Sequence, residues 1–87
     1  MGDKYKALGE ENRRIILKLL SKGDRPANEI SSKLDVAQPT VSNHLRILDE
    51  AGLVSHTKKA QQRIYSLNKK KIEQVVKELR DLILNRN

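Results

Sequence analysis

The chain has no cysteine, phenylalanine or tryptophan, and its only aromatic residues are Tyr5 and Tyr65. The lack of cysteine excludes disulfides, thiolate metal sites and cysteine nucleophiles, and it favours an intracellular, cytoplasmic protein. No apolar run approaches the ~18 residues of a membrane span, and the N-terminus lacks an apolar signal core. We therefore expect no membrane-spanning segment, and a core that consists of Leu, Ile and Val.

The 87 residues suffice for one small domain, so residues 1–87 are expected to form a single unit. The formal net charge of +7 is concentrated in residues 36–71, which carry seven Lys/Arg against two Asp/Glu. A local basic excess indicates a polyanionic partner, either nucleic acid or an anionic membrane surface. A solvated lysine-rich surface is the alternative explanation.

Hydrophobic spacing predicts four helices, a β-hairpin and a last helix. Short helices are expected over residues 3–8, with Tyr5 and Leu8 inward, and over "ENRRIILKLLSKG", ended by Gly23. A third helix begins near Pro26, and a fourth covers residues 38–51, closed by Gly52. The residues expected inward on the second and third helices are Ile16, Leu19, Leu20, Ala27, Ile30 and Leu34.

The hairpin strands are "LVSHT" and "RIYSL", joined by "KKAQQ". Because this connection has no Gly, Asn or Asp, a tip longer than a tight two-residue turn, and mobile, is expected. The last helix, "KKKIEQVVKELRDLILNRN", follows. Helices joined by a tight turn at residues 35–37 and followed by a basic hairpin predict a mainly α winged helix-turn-helix, in the order α-α-α-α-β-β-α.

The fourth helix lies in "VAQPTVSNHLRILDEAGLV", where Val41, Leu45 and Leu48 fall on one side. Its other side carries short polar groups that suit DNA bases, since Gln and Asn match adenine and Arg matches guanine. An ordinary polar surface helix is the alternative. The hairpin adds groups that can reach phosphates or a minor groove. The candidate DNA contacts are Gln38, Pro39, Thr40, Ser42, Asn43, Arg46, Lys58, Lys59, Gln61, Gln62 and Arg63.

Three stretches, "KALGEENRRIILKLL", the 19-residue segment above and "RIYSLN", resemble the ArsR/SmtB family of winged-helix repressors. The resemblance runs from residue 6 to about residue 83. It implies a homodimer that binds an inverted-repeat operator in double-stranded DNA and represses transcription, with the first and last helices at the dimer interface. The candidate interface residues are Tyr5, Leu8, Ile72, Val75, Val76, Leu79, Leu82 and Ile83.

The chain departs from the family pattern where many members bind metals. "RPANEIS" has no cysteine pair, and the last helix has Glu73, Glu78 and Asp81 but no histidine. His44 and His56 are each isolated, which is more typical of structural or DNA-facing residues than of ligands. No metal and no cofactor are therefore expected.

Other departures affect turns. Asp35 stands where the family usually has Gly, and Ala37 replaces a capping Ser, whose loss costs ~0.5–2 kcal/mol of helix stability. Ala60 replaces the wing glycine and Gln61 the usual Arg. The wing is therefore expected to contact DNA less strongly, or to use Arg63 instead.

The leading hypothesis is a dimeric DNA-binding repressor. The alternative is a winged-helix module that binds protein without specific DNA binding, although its recognition face would be expected to be neutral or acidic. An enzyme is not expected, because there is no glycine-rich phosphate loop and no suggestion of a Ser-His-Asp site. The role of Lys69, Lys70 and Lys71, before the last helix, stays open between phosphate contacts and a slightly unfavourable helix start.

Overall fold

The computed structural model describes residues 3–84. This part of the chain forms five helices and three short strands. They are α1 (Lys4–Leu8), α2 (Glu11–Leu20), β1 (Arg25–Pro26), α3 (Ala27–Lys33), α4 (Gln38–Glu50), β2 (Val54–Lys59), β3 (Gln62–Leu67) and α5 (Lys69–Leu84). The mainly helical winged fold is confirmed, with one additional strand.

Side-chain caps begin the first two helices. The Asp3 carboxylate accepts from the backbone N–H groups of Tyr5 and Lys6 at 2.9 and 3.2 Å. The Glu10 carboxylate accepts from the N–H of Asn12 at 2.8 Å. Each bond satisfies an N–H that has no partner within its helix. Helix α2 ends at Leu20, three residues before the predicted Gly23.

The strands form one antiparallel sheet in the order β1-β3-β2. Strand β1 was not predicted, because two residues with a proline give no period. It is defined by its pairing with β3, in which Arg25 lies opposite Tyr65 and Pro26 opposite Ile64. Lys59 pairs with Gln62, so a two-residue turn closes the hairpin. The longer tip expected from "KKAQQ" is therefore wrong, because Ala60 adopts a positive φ of 56°.

The core lies between α2, α3, α4 and the base of the sheet. Its most deeply buried large side chains are Ile16, Ile30, Val41, Leu45, Leu48 and Leu53. Leu20 and Leu34 are also buried, as predicted, whereas Leu19 and Ala27 are half-buried and Leu17 takes a core position. Tyr5 is 45% exposed, so the prediction that it faces inward is wrong for the single chain, and Ala7 is the buried residue of α1.

Helix α5 contributes little to this core. Val75 is buried and Ile72 half-buried, but the other members of the predicted apolar stripe are exposed. Their exposed fractions are 46% for Val76, 45% for Leu79, 80% for Leu82 and 78% for Ile83. The last three residues of the predicted helix, 85–87, lie outside the described residues.

Candidate nucleic-acid interface

Helix α4 has the two sides that its sequence predicts. Val41, Leu45 and Leu48 are at most 1% exposed, and they attach the helix to the core. All six candidate contacts on the opposite side are exposed, namely Gln38, Pro39, Thr40, Ser42, Asn43 and Arg46. A row of short polar groups therefore faces away from the protein along the first half of α4.

The N-terminus of α4 has no side-chain cap. Ala37 occupies the N-cap position with φ −64° and ψ 147°, a cap conformation, but it has no oxygen to accept a bond from the first turn. Unpaired N–H groups at a helix start attract anions such as phosphate. In α4, however, Pro39 has no N–H and the Thr40 N–H already bonds the Ala37 carbonyl oxygen at 3.0 Å, so this helix end offers an anion at most the Gln38 N–H.

Three exposed side chains on α4 are bonded to one another. The Arg46 guanidinium donates to both carboxylate oxygens of Glu50 at 3.0 Å and to Oδ1 of Asn43 at 2.7 Å. Exposed pairs of this kind contribute only ~0.3–0.5 kcal/mol. A bidentate base contact is worth about 1–3 kcal/mol, so it can replace these bonds.

The wing carries exposed basic side chains. Lys58, Lys59 and Arg63 are exposed, as are Gln61 and Gln62. Lys58 and Arg63 are direct partners across the hairpin. Like charges at opposite positions of a strand pair repel each other, and a bound anion relieves that repulsion.

A groove lies between α4 and the wing. Residues from both predicted groups of DNA contacts, those on α4 and those on the wing, line it. Gln38, Ser42 and Arg46 line one wall, and Gln61, Gln62 and Arg63 line the other. Pro39, Thr40, Asn43, Lys58 and Lys59 lie on the neighbouring surface outside this groove.

The groove also contains polar residues that were not among the predicted DNA contacts, namely Asn28 of α3, Asp49 and Glu50 of α4, and His56 of β2. His56 Nδ1 lies 2.5 Å from the Asp49 carboxylate, and its ring lies 5.4 Å from that of Tyr65. This contact joins the wing to the second half of α4. Nothing in the spacing of Asp49 and His56 indicates that they meet.

His44 lies behind the exposed row and is 7% exposed. Its Nδ1 lies 3.2 Å from an Arg13 guanidinium nitrogen, and its Nε2 lies 3.2 Å from a Glu10 carboxylate oxygen. The expectation that His44 has a structural role is consistent with these contacts. Within residues 3–84, no three or more His, Asp or Glu side chains are grouped so as to hold a metal ion.

The three lysines that begin α5, Lys69, Lys70 and Lys71, lie at the base of the hairpin. Asn68 bonds Leu53 there, with its N–H 2.9 Å from the Leu53 carbonyl oxygen. The side chain of Lys71 passes over Gly52. Strand β3 separates this position from the wing tip by roughly 20 Å. These lysines are therefore not part of the groove.

Helices α1 and α5 meet at a second surface. The Tyr5 hydroxyl donates to the Glu78 carboxylate, and Lys4 Nζ lies 2.9 Å from it. The hydrogen bond from Tyr5, helped by Lys4, lowers the pKa of Glu78, and the same bond raises the pKa of Tyr5. The exposed apolar residues of α5 adjoin this polar contact.

The described residues include no helix long and apolar enough to cross a membrane. A helix-turn-helix formed by α3 and α4, followed by an antiparallel hairpin, defines the winged helix-turn-helix class.

Comparison with known proteins identifies the family within this class. Residues 10–56 match the family described as bacterial regulatory protein, arsR family. The chain belongs to this family and is a transcriptional regulator, not an enzyme.

The named relatives include a transcriptional repressor and a transcriptional activator. The chain is 40% identical to the transcriptional repressor SdpR of Bacillus subtilis over 68 residues, which cover 78% of this chain and 76% of that protein. It is 33% identical to the transcriptional activator HlyU of Vibrio cholerae over 82 residues, covering 94% and 76% of the two chains.

The fold has solved counterparts. A crystal structure of a possible transcriptional regulator for arsenical resistance superposes with a TM-score of 0.87 at 27% identity, covering 98% of this chain and 88% of the other. Winged-helix regulators of this family therefore share nearly the whole architecture.

Proposed function

We propose that the protein binds an inverted-repeat operator in double-stranded DNA as a homodimer and represses transcription. The observation that carries the proposal is the exposed polar row of α4 beside a basic wing, across one groove. In helix-turn-helix proteins the first residues of the second helix enter the major groove and contact base edges. Helix α4 would be that recognition helix.

The exposed side chains divide into two roles. Gln38, Thr40 and Asn43 can contact bases, and Arg46 can contact guanine once it leaves Glu50. Ser42 can donate to a base or to a phosphate. The cations of the wing, Lys58, Lys59 and Arg63, would neutralise phosphates, which positions the protein and makes its affinity depend on salt.

The apolar surface of α5 supports the homodimer. Leu79, Leu82 and Ile83 are 45–80% exposed in the single chain. Fully burying one such side chain contributes roughly 1.5–3 kcal/mol, and a second copy would bury both stripes at once. With the adjoining residues of α1, this surface would set the two recognition helices on successive turns of one DNA face, about 10 bp apart.

Selection of bound duplexes from a random pool tests the DNA assignment. We expect an enriched palindrome, bound with a dissociation constant in the nanomolar range. Asn43→Ala should relax preference at one base position in each half-site. Lys59→Ala should weaken binding to every duplex and reduce the salt slope by about one.

Lys70→Ala is the matched control for Lys59→Ala, because it removes the same charge at the base of the hairpin. It should leave the salt slope unchanged. Failure of the unmodified protein to bind any duplex at low salt would reject DNA binding and favour a module that binds protein.

Sedimentation equilibrium at micromolar concentration tests the dimer. Leu82→Gln should weaken self-association about tenfold or more, because it places an amide in the apolar interface. Asp81→Gln, on the opposite side of α5, should leave the dissociation constant unchanged. A monomer at these concentrations would contradict the homodimer.

Transcription of a reporter gene controlled by the selected operator tests whether the protein represses or activates. We expect expression to rise when the regulator is deleted. A fall would make the protein an activator, as HlyU is named.

A further inference from the structure

We propose that His44 and Arg13 fix the rotation of α4 about its own axis, which makes His44 a positioning residue for base recognition. The inference rests on the proposed DNA-binding function of α4. His44 directly follows Asn43, but its side chain points to the protein interior. Apart from Tyr65, it is the one buried side chain with a polar group among residues 3–84.

Each ring nitrogen of His44 has a partner. A guanidinium can only donate hydrogen bonds, so Nδ1, which lies 3.2 Å from an Arg13 guanidinium nitrogen, accepts from Arg13. A carboxylate oxygen accepts, so Nε2, which lies 3.2 Å from the Glu10 carboxylate, donates to it. These two directional contacts hold the ring of His44 in one orientation.

Arg13 continues this connection to α1. Its Nε donates to the carbonyl oxygen of Ala7 at 2.8 Å, and a second guanidinium nitrogen donates to that of Lys6 at 3.3 Å. These carbonyls lie in the last turn of α1, which contacts Glu78 of α5 through Lys4 and Tyr5. The orientation of α4 is therefore tied to the surface proposed for dimerisation.

Apolar contacts alone do not set this rotation closely. Val41, Leu45 and Leu48 attach α4 to the core, but hydrophobic attraction has no preferred direction. At the outer radius of a helix, about 5–6 Å, a rotation of ~10° moves a side-chain tip by about 1 Å. A hydrogen bond is lost over such a distance, so small rotations abolish contacts to base edges.

Four variants test the proposal. His44→Leu removes both bonds but keeps an apolar side chain, and His44→Gln keeps one donor and one acceptor without a charge. Arg13→Met removes the bridge to α1. Arg14→Met is its matched control, since Arg14 donates to the Leu8 carbonyl oxygen at 2.6 Å and has the same charge.

The measured quantity is the ratio of affinities for the selected operator and for a scrambled duplex of equal length. We expect His44→Leu and Arg13→Met to lower this ratio about tenfold or more. The affinity for scrambled DNA should change by the same factor in Arg13→Met and in Arg14→Met, because each removes one positive charge. His44→Gln and Arg14→Met should keep the ratio within about threefold. The double variant His44→Leu/Arg13→Met should be no worse than His44→Leu alone, because His44→Leu already removes the bridge.

Two results would overturn the proposal. One is a folded His44→Leu protein with an unchanged ratio, and the other is an Arg14→Met protein that loses as much as Arg13→Met. If His44→Leu does not fold, the comparison of Arg13→Met with Arg14→Met carries the test.

A measurement without DNA separates this inference from the proposed function. Residual dipolar couplings should show α4 reoriented relative to α1 in Arg13→Met and not in Arg14→Met. Unchanged couplings in Arg13→Met would reject the positioning role even if the protein bound no DNA. A protein that shows the reorientation but no operator preference would contradict only the proposed function.

Discussion

Ala60 gives the sharpest prediction about the stability of the wing. It is the first residue of the two-residue turn and has a φ of 56°. Among the non-glycine residues between positions 3 and 84, it is the one with a positive φ. The left-handed conformation costs an L-residue roughly 1–2 kcal/mol, because its Cβ approaches the following carbonyl oxygen.

Ala60→Gly should therefore stabilise the protein. Removing the Cβ relieves the strain, while the greater freedom of glycine in the unfolded chain offsets about 0.5–1 kcal/mol of the gain. The expected increase in the free energy of unfolding is about 0.5–1 kcal/mol. For a domain of this size, this corresponds to a rise in Tm of roughly 2–8 °C.

Gln61→Gly is the matched control, because Gln61 lies in the same turn without a positive φ. There the glycine relieves no strain, so it should lower the free energy of unfolding by roughly 0.5–1 kcal/mol. Thermal unfolding followed by circular dichroism measures both variants, at one protein concentration because self-association raises Tm.

The two substitutions should thus shift Tm in opposite directions. An Ala60→Gly protein that melts at or below the unmodified protein would refute the reasoning. It would show that the turn relaxes without strain or that the wing folds separately from the core.

Three further predictions concern helix starts and pH. Ala37→Ser should raise the free energy of unfolding by about 1 kcal/mol in urea titrations, because the N-cap conformation is already present without an acceptor; no change would mean that the first turn is frayed. Asn68→Ala should lower the free energy of unfolding by roughly 1–2 kcal/mol, because Asn68 donates to the Gly52 carbonyl oxygen at 2.8 Å and accepts from the Lys71 N–H at 3.2 Å. Asn68→Asp keeps the acceptor, so it should lower the free energy of unfolding by less. Because the Tyr5 and Lys4 bonds hold the pKa of Glu78 below its ordinary value of 4.5, the stabilisation is present above that value and is lost as pH falls through the folded pKa. The stability difference between the unmodified protein and Glu78→Gln should therefore shrink on acidification, and a difference independent of pH would contradict this.

Helix α4 shows how far sequence reasoning extends. Its predicted end at residue 51 is one residue beyond the observed end, and its predicted core positions are buried. Both results follow from local signals, namely the spacing of Val41, Leu45 and Leu48 and the Gly52 that ends the helix with a φ of 78°. The exposure of the polar row on the opposite side follows from the same periodicity.

Other features depend on residues that are distant in the sequence. Tyr5 satisfied the pattern of an inward residue, yet its hydroxyl bonds Glu78, and Ala7 occupies the core. In α5 the apolar stripe was evident, but which of its residues the core covers was not, because periodicity identifies a face and not what packs against it.

Local patterns of residues are enough to predict the helical periods, the hairpin, the family and the side of α4 that carries polar groups, because each of these depends on neighbouring residues within a few turns or strands. The folded structure was needed to find the pairing of β1 with β3, the two-residue wing turn, the groove between α4 and the wing, and the bridge from His44 through Arg13 to α1. The strand pairing, the groove and the bridge arise only when segments far apart in the chain meet, and the spacing of residues within one segment contains no information about the other. The wing turn is local, but it depends on a positive φ at Ala60 that the residue type does not favour.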